Sequence, residues 1–162
     1  MVKKYQKIIL AGFIVGTSDI LSAFLHVLIK TGQSHFFDIL KFIASGIFGK
    51  EASSGGAEMI LAGLFFHYLI AYIFTIFFFW LFPKIRIASQ NRLLTGIVYG
   101  FFVWAVMNLA VVPLSRIPHR TFTISNAIIN IAILMICVGI PLSFMADSFF
   151  TVLKKNSAST ST

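Results

Sequence analysis

The sequence predicts an all-α membrane protein, a four-transmembrane-helix bundle with a short amphipathic interfacial helix between spans 1 and 2. The 162-residue chain is 58% hydrophobic and 11% charged, and its mean hydropathy is +0.93. A soluble domain carries about 25% charged residues. Four apolar runs are each long enough to cross about 30 Å of hydrocarbon. Helices are expected because a helix satisfies its own backbone hydrogen bonds in lipid, whereas barrel strands would alternate polar and apolar residues.

A single transmembrane domain is predicted over residues 1–152, followed by a disordered cytoplasmic tail at 153–162. The tail is assigned from its Ser- and Thr-rich composition. The predicted spans lie near residues 8–29, 59–82, 93–113 and 124–144.

The long first connection contains an amphipathic segment, roughly 34–48, that is too short to span a bilayer. Phe36, Leu40, Ile43 and Ile47 fall on one face at helical spacing. Two positions suit such a helix equally well. It can lie at the outer membrane interface, or it can pack on the bundle as part of the connection.

The net charge of +8 reflects basic residues that flank the apolar runs. This distribution is typical of a topology signal and not of a nucleic-acid-binding stripe. The positive-inside rule then predicts a multi-pass protein of the bacterial inner (cytoplasmic) membrane with N- and C-termini in the cytoplasm. Eight of the 13 Lys and Arg residues are predicted on that side: Lys3, Lys4, Lys7, Lys84, Arg86, Arg92, Lys154 and Lys155.

Intramembrane polar residues predict a pocket inside the bundle. Asp19 lies near the middle of the first apolar run, where a charge is costly and usually has a partner or a function. Helical rise places Asp19 and His67 at similar depths, about 12–13 Å below the outer ends of their spans. Asn108, Asn130 and His26 lie shallower, so we predict an outward-facing polar pocket over an apolar floor. The alternative roles are structural: an Asp19–His67 pair, interhelical hydrogen bonds from the two Asn residues, and an interfacial His26.

Two further groups of residues complete the predicted site. Glu58, Arg116 and Arg120 are expected at the pocket mouth, although solvated loop charges are the simpler interpretation for the arginines. Small residues let membrane helices approach closely. Helix packing is therefore predicted at Gly12, Gly16, Gly63, Gly96 and Gly100.

Signals for catalysis or cofactors are weak. The sequence has no zinc-protease, nucleophile-elbow, CxxC or phosphate-loop motif. His26 and His67 differ in predicted depth, which argues against a haem between them, and Asp19, His26 and His67 have no standard metal-ligand spacing. We therefore predict no cofactor and no metal.

The motifs resemble those of a family of small four-span bacterial inner-membrane proteins without an assigned activity. They are Gly16-Thr17-x-Asp19-Ile20, Ile43-Ala44-Ser45-Gly46-x-x-Gly49, Gly63-x-x-x-His67, Met107-Asn108, Pro113-Leu114-Ser115 and Val138-Gly139-x-Pro141. The chain is more distantly similar to YagU-type inner-membrane proteins, which are linked to acid resistance. The resemblance implies that the polar positions matter as a set. Members often have a second histidine where this chain has Leu134, which weakens any multi-histidine site.

Three function classes remain open from the sequence. The leading hypothesis is a non-enzymatic membrane protein that binds or conducts a small polar or protonated species, embedded in the lipid bilayer as a homo-oligomer. The second is a membrane enzyme for a lipid or isoprenoid, with Asp19 and His67 as acid–base pair and Arg116 or Arg120 on a headgroup. The third is a structural or stress-accessory membrane protein. The identity of any small-molecule or ion ligand stays open, and no nucleic-acid partner is expected.

Overall fold

The computed structural model describes residues 2–84, 91–117 and 123–159, and within these ranges the chain is helical with no strand. These ranges contain four helices that are long and apolar enough to cross a membrane, so the predicted all-α fold with four spans is confirmed. They are Tyr5–Thr31, Ala57–Lys84, Arg92–Leu114 and Ile124–Val152.

The first two spans are regular, whereas the third and fourth each contain a π-helical turn. In chain order the elements are α1 (Val2–Thr31), α2 (Phe36–Phe48), α3 (Glu51–Ser54), α4 (Ala57–Leu81), a 3-10 turn (Phe82–Lys84), α5 (Arg92–Val106), a π turn (Met107–Val111), α6 (Val112–Leu114), α7 (Ile124–Leu134), a second π turn (Met135–Gly139) and α8 (Ile140–Ser159).

The two π turns share a sequence cause. Each begins at a Met and ends two residues before a Pro-Leu-Ser triplet, at Pro113 and Pro141. A proline inside a helix lacks the N–H donor, and its ring clashes with the carbonyl four residues earlier. Widening the preceding turn to π geometry moves that carbonyl away, so both helices continue past the proline. The recurring triplet therefore marks the same backbone feature in two spans.

The predicted disordered tail differs from the structure. Helix α8 continues without interruption through Ser159, and residues 160–162 lie outside the described ranges. Extending an existing helix needs no new nucleation, so the polar segment after the span adds further turns.

Contacts between span ends define two ends of the bundle. At the terminal end, near the start of α1 and the end of α8, Arg92 Nε lies 3.1 Å from Asp147 Oδ2. At the opposite end, which we call the α2 end, Lys30 Nζ donates to Asn126 Oδ1 at 3.0 Å. These pairs join the first, third and fourth spans in an up-and-down arrangement.

The terminal end has a core of aromatic side chains. Phe78 is fully buried, and its ring centroid lies 4.4 Å from that of Tyr99. The Tyr99 hydroxyl donates to the Phe74 carbonyl at 2.6 Å, which fixes α5 against α4. Phe82 stacks on Phe150 at 5.7 Å, so the fourth span joins the same cluster. This end of the bundle is held by interlocking side chains.

Helix α2 lies between the second span and the end of the third. The Leu40 backbone contacts α4 at Gly63, where no side-chain carbon would fit. The Arg116 N–H donates to the Gly46 carbonyl at 2.9 Å and connects α2 to the end of the third span. Of the two positions predicted for this helix, the structure has the one packed on the bundle.

Candidate functional site

A cavity of about 190 Å³ lies where all four spans and α2 meet. Two of its lining residues, Asp19 and His67, are ionisable, and the other nine are apolar. The apolar residues are Val15, Ile43, Ile70, Ala71, Phe74, Val103, Met107, Leu134 and Val138. The cavity therefore has one carboxylate and one imidazole in an otherwise hydrophobic wall.

Asp19 and His67 face the same cavity without touching. No hydrogen bond or ion pair joins them, although the two groups are close enough to interact electrostatically. His67 Nε2 lies 2.7 Å from the Gly16 carbonyl oxygen, so this nitrogen donates and carries a proton. Nδ1 is then an acceptor in the neutral ring. The Asp19 carboxylate has no hydrogen bond among the described residues, and a bound group can approach both side chains.

Close packing of α1 on α4 sets the register of these two residues. A Cβ at Gly16 would lie 3.0 Å from Cδ1 of Tyr68, so a larger residue there would require the Tyr68 ring to shift. The hydroxyls of Thr17 and Tyr68 share a hydrogen bond of 2.8 Å. Together with the bond from His67 to the Gly16 carbonyl, this contact fixes Asp19 opposite His67. The glycine spacing in the sequence indicated this approach, but the hydroxyl pair was not predicted.

The cavity lies near the middle of the bundle. Asp19, Val103 and Val138 each lie close to the midpoint of their spans. Val103 and Val138 also belong to the hydrophobic core that contains Phe78, Phe82 and Tyr99. Ile43 of α2 contributes to the lining on the opposite side. The sequence did not indicate that α2 reaches the site.

The remaining predicted pocket residues lie outside this cavity. The Asn108 amide donates to the Trp104 carbonyl within its own helix at 3.0 Å. Asn130 is exposed on the surface of α7, and His26 is half-buried in α1. Asn130 was expected to face the pocket, and its exposure places it on the outer surface of the bundle instead. Their participation in function stays a prediction.

Two of the three predicted mouth residues, Glu58 and Arg116, do not line the cavity. Glu58 is exposed, and its carboxylate accepts the Gly56 N–H at 2.6 Å. Arg116 is exposed beside α2, whose Ile43 lies on the cavity wall. Arg120 lies outside the described residues.

The five predicted packing glycines all lie at close helix contacts. Gly12 lies against Tyr72, and Gly63 against Leu40. A Cβ at Gly96 would lie 2.7 Å from Cα of Ile140. A Cβ at Gly100 would lie 2.7 Å from the nitrogen of Met135, the first residue of the second π turn. The Gly96–Gly100 face is thus covered by the chain's own fourth span, and an oligomer would use another surface.

Sequence reasoning missed three polar contacts, one beside the site and two at the terminal end. Ser22 Oγ lies 2.9 Å from Cys137 Sγ, one turn from Asp19, and joins the first span to the fourth. Asp147 pairs with Arg92, and the Ser143 hydroxyl donates to the Arg92 carbonyl at 2.7 Å. The position of Asp147 beyond the predicted end of the fourth span concealed this contact.

Among the described residues, no group of three or more His, Cys, Asp or Glu side chains is arranged to hold a metal ion. The site's chemistry is that of a carboxylate, an imidazole and hydrophobic walls. No protein-family model, curated protein or solved structure matches this chain.

Proposed function

We propose that this protein binds a small polar or protonated species in the cavity between Asp19 and His67 and serves its passage through the membrane. The observation that carries the proposal is the carboxylate without a hydrogen bond on the wall of a mid-membrane cavity. A carboxylate in an apolar environment is expensive unless it is neutralised or bound by a partner. A ligand that is protonated, or that donates hydrogen bonds, supplies that partner.

The size of the cavity weighs against the lipid-enzyme hypothesis. Its 190 Å³ is below the 300–1,000 Å³ that is usual for drug-sized ligands. An isoprenoid chain is larger still. The arginine proposed to hold a headgroup, Arg116, is exposed and does not reach the cavity wall.

We further propose the cellular setting that the charge pattern predicts. The protein is placed in the bacterial inner membrane with both termini cytoplasmic, on the basis of the basic residues around the terminal end. On that orientation, α2 covers the cavity from the periplasmic side. Membership of the four-span family and assembly as a homo-oligomer are parts of the same proposal.

Reconstituted vesicles test the proposal directly. Vesicles that contain a pH indicator receive an imposed pH gradient, and its decay is compared for wild-type protein, Asp19→Asn and protein-free lipid. We expect pH-dependent decay for the wild type and at least a tenfold lower rate for Asp19→Asn, because the variant cannot exchange a proton. Asp38→Asn is the matched control, since Asp38 is an exposed carboxylate paired with His35 on the surface. Unchanged, pH-independent decay with Asp19→Asn would rule out proton-linked passage.

The same vesicles test whether α2 must move. A Cβ at Gly46 would lie 3.8 Å from Cβ of Ser115, a separation that suits a disulfide. The double variant Gly46→Cys, Ser115→Cys, made with Cys137→Ala, is expected to lose flux on oxidation and regain it on reduction. Equal flux in the two redox states means that passage does not need α2 to leave the third span.

A further inference from the structure

The hydrogen-bonding groups on the cavity wall select for a donor ligand. The ionised Asp19 side chain only accepts hydrogen bonds. His67 uses its Nε2–H on the Gly16 carbonyl, which leaves Nδ1 as an acceptor in the neutral ring. The other nine lining side chains include no hydroxyl, amide, ammonium or guanidinium donor. While Asp19 is ionised, a bound species must therefore bring its own N–H or O–H groups, or a positive charge.

The charge on the wall favours a cation over a neutral donor. Among the described residues no Lys or Arg side chain lines the cavity, so the His67 imidazole is the one group there that could carry a positive charge beside an ionised Asp19. A carboxylate and a cation in a low-dielectric cavity attract each other far more strongly than in water. Anions meet the opposite effect, because they would lie beside a carboxylate with no donor to hold them.

The shape and walls favour an organic cation over a metal ion. Metal ions such as Ca²⁺ take six to eight oxygen ligands, and this wall supplies one carboxylate. The volume equals about six water molecules at about 30 Å³ each, which accommodates a cation with a few carbon atoms. Aliphatic side chains suit alkyl groups, and the Phe74 ring offers a face for a cation–π contact.

We propose that the ligand of the Asp19–His67 cavity is a small alkylammonium cation. Its charge neutralises Asp19, its N–H groups bond to Asp19 and to the free His67 nitrogen where it has them, and its alkyl groups contact the apolar wall. This inference rests on the binding function proposed above and names the chemical class of its ligand.

Thermal unfolding of the purified protein in detergent tests the ligand class. The panel is methylammonium, ethylammonium and tetramethylammonium chloride, with sodium chloride at equal ionic strength, sodium acetate and ethanol as comparisons. At 100-fold excess over Kd, we expect the ammonium salts to raise the Tm of the wild type by about 5 °C. The rise is absent with sodium chloride, lost in Asp19→Asn and kept in Asp38→Asn.

A second variant keeps the test decisive if Asp19→Asn does not fold. Phe74→Leu removes the ring and retains an apolar side chain. Its affinity for tetramethylammonium is expected to fall about threefold to tenfold, and its affinity for ethylammonium to fall less. Equal losses for both cations would contradict the cation–π contact.

The outcomes separate this inference from the function on which it rests. A Tm rise that depends on Asp19 but follows acetate or ethanol only would overturn the ammonium class and keep the binding site. An ammonium effect of equal size in Asp19→Asn would overturn the class as well, because the cation would then bind elsewhere. If no species in the panel raises the Tm of the wild type, both proposals fail.

Discussion

The terminal end of this bundle and the level of its cavity are packed in different ways. At the terminal end, bulky rings such as Phe78 and Tyr99 interlock, and the Tyr99 hydroxyl donates to the Phe74 carbonyl. At the cavity level, helices approach at glycines such as Gly16 and Gly63, and α2 fills the gap between spans. The cavity remains where the two kinds of packing meet. We therefore expect the terminal end to contribute more to the free energy of unfolding than the level of the Asp19–His67 cavity does.

The largest effect is expected from opening the aromatic core. Phe78→Ala removes a fully buried ring, and the free energy of unfolding should fall by about 3 kcal/mol because the contacts with Tyr99 and Phe82 are lost. Phe65→Ala is the control, since Phe65 is 63% exposed on the same helix. Denaturant titration in detergent measures both. Similar losses in the two variants would mean that the terminal end is not the main source of stability.

Much of the terminal end could be predicted from the sequence, because the run of aromatic residues at the end of the second span and the basic flanks are local signals. The close approaches at Gly16, Gly63 and Gly96 were also predictable from spacing alone. The direction in which each predicted polar residue points could not be predicted from spacing. Asn130 was predicted to face the pocket from helical spacing, yet it is exposed on the surface of α7. That direction depends on contacts between segments far apart in the sequence, and the periodicity within one segment does not reveal those contacts.

The contribution of α2 was hidden for a related reason. Its amphipathic pattern allowed two positions equally, and the deciding contact is the backbone of Leu40 against Gly63. That contact joins segments whose side chains show no complementary signal. The π turns were hidden as well, although both Pro-Leu-Ser triplets are visible in the sequence.

A smaller effect is expected from forcing α2 away from the second span. Gly63→Ala places a Cβ against the Leu40 backbone, and we expect a loss of about 2 kcal/mol in the free energy of unfolding. Gly46→Ala is the matched control within α2. Its Cβ would make only ordinary contacts at 3.8 Å, and alanine is the better helix former, so a gain of about 0.5 kcal/mol is expected. Opposite signs in the two titrations would support the close contact of α2 with Gly63, and equal losses would contradict it.

The smallest effect is expected from replacing an aspartate in each region. This pair of variants compares the terminal end with the cavity level most directly. Asp19→Leu replaces a carboxylate without a hydrogen bond by an apolar side chain, and the free energy of unfolding should rise by about 1–2 kcal/mol. Asp147→Leu removes the partner of Arg92, whose side chain is 55% exposed, so a fall of about 0.5 kcal/mol is expected. A gain at Asp19 means that this residue is retained at the expense of stability, as a binding residue is. If the free energy of unfolding falls in both variants, Asp19 is a structural residue like Asp147. That result would contradict the assignment of the cavity as a functional site.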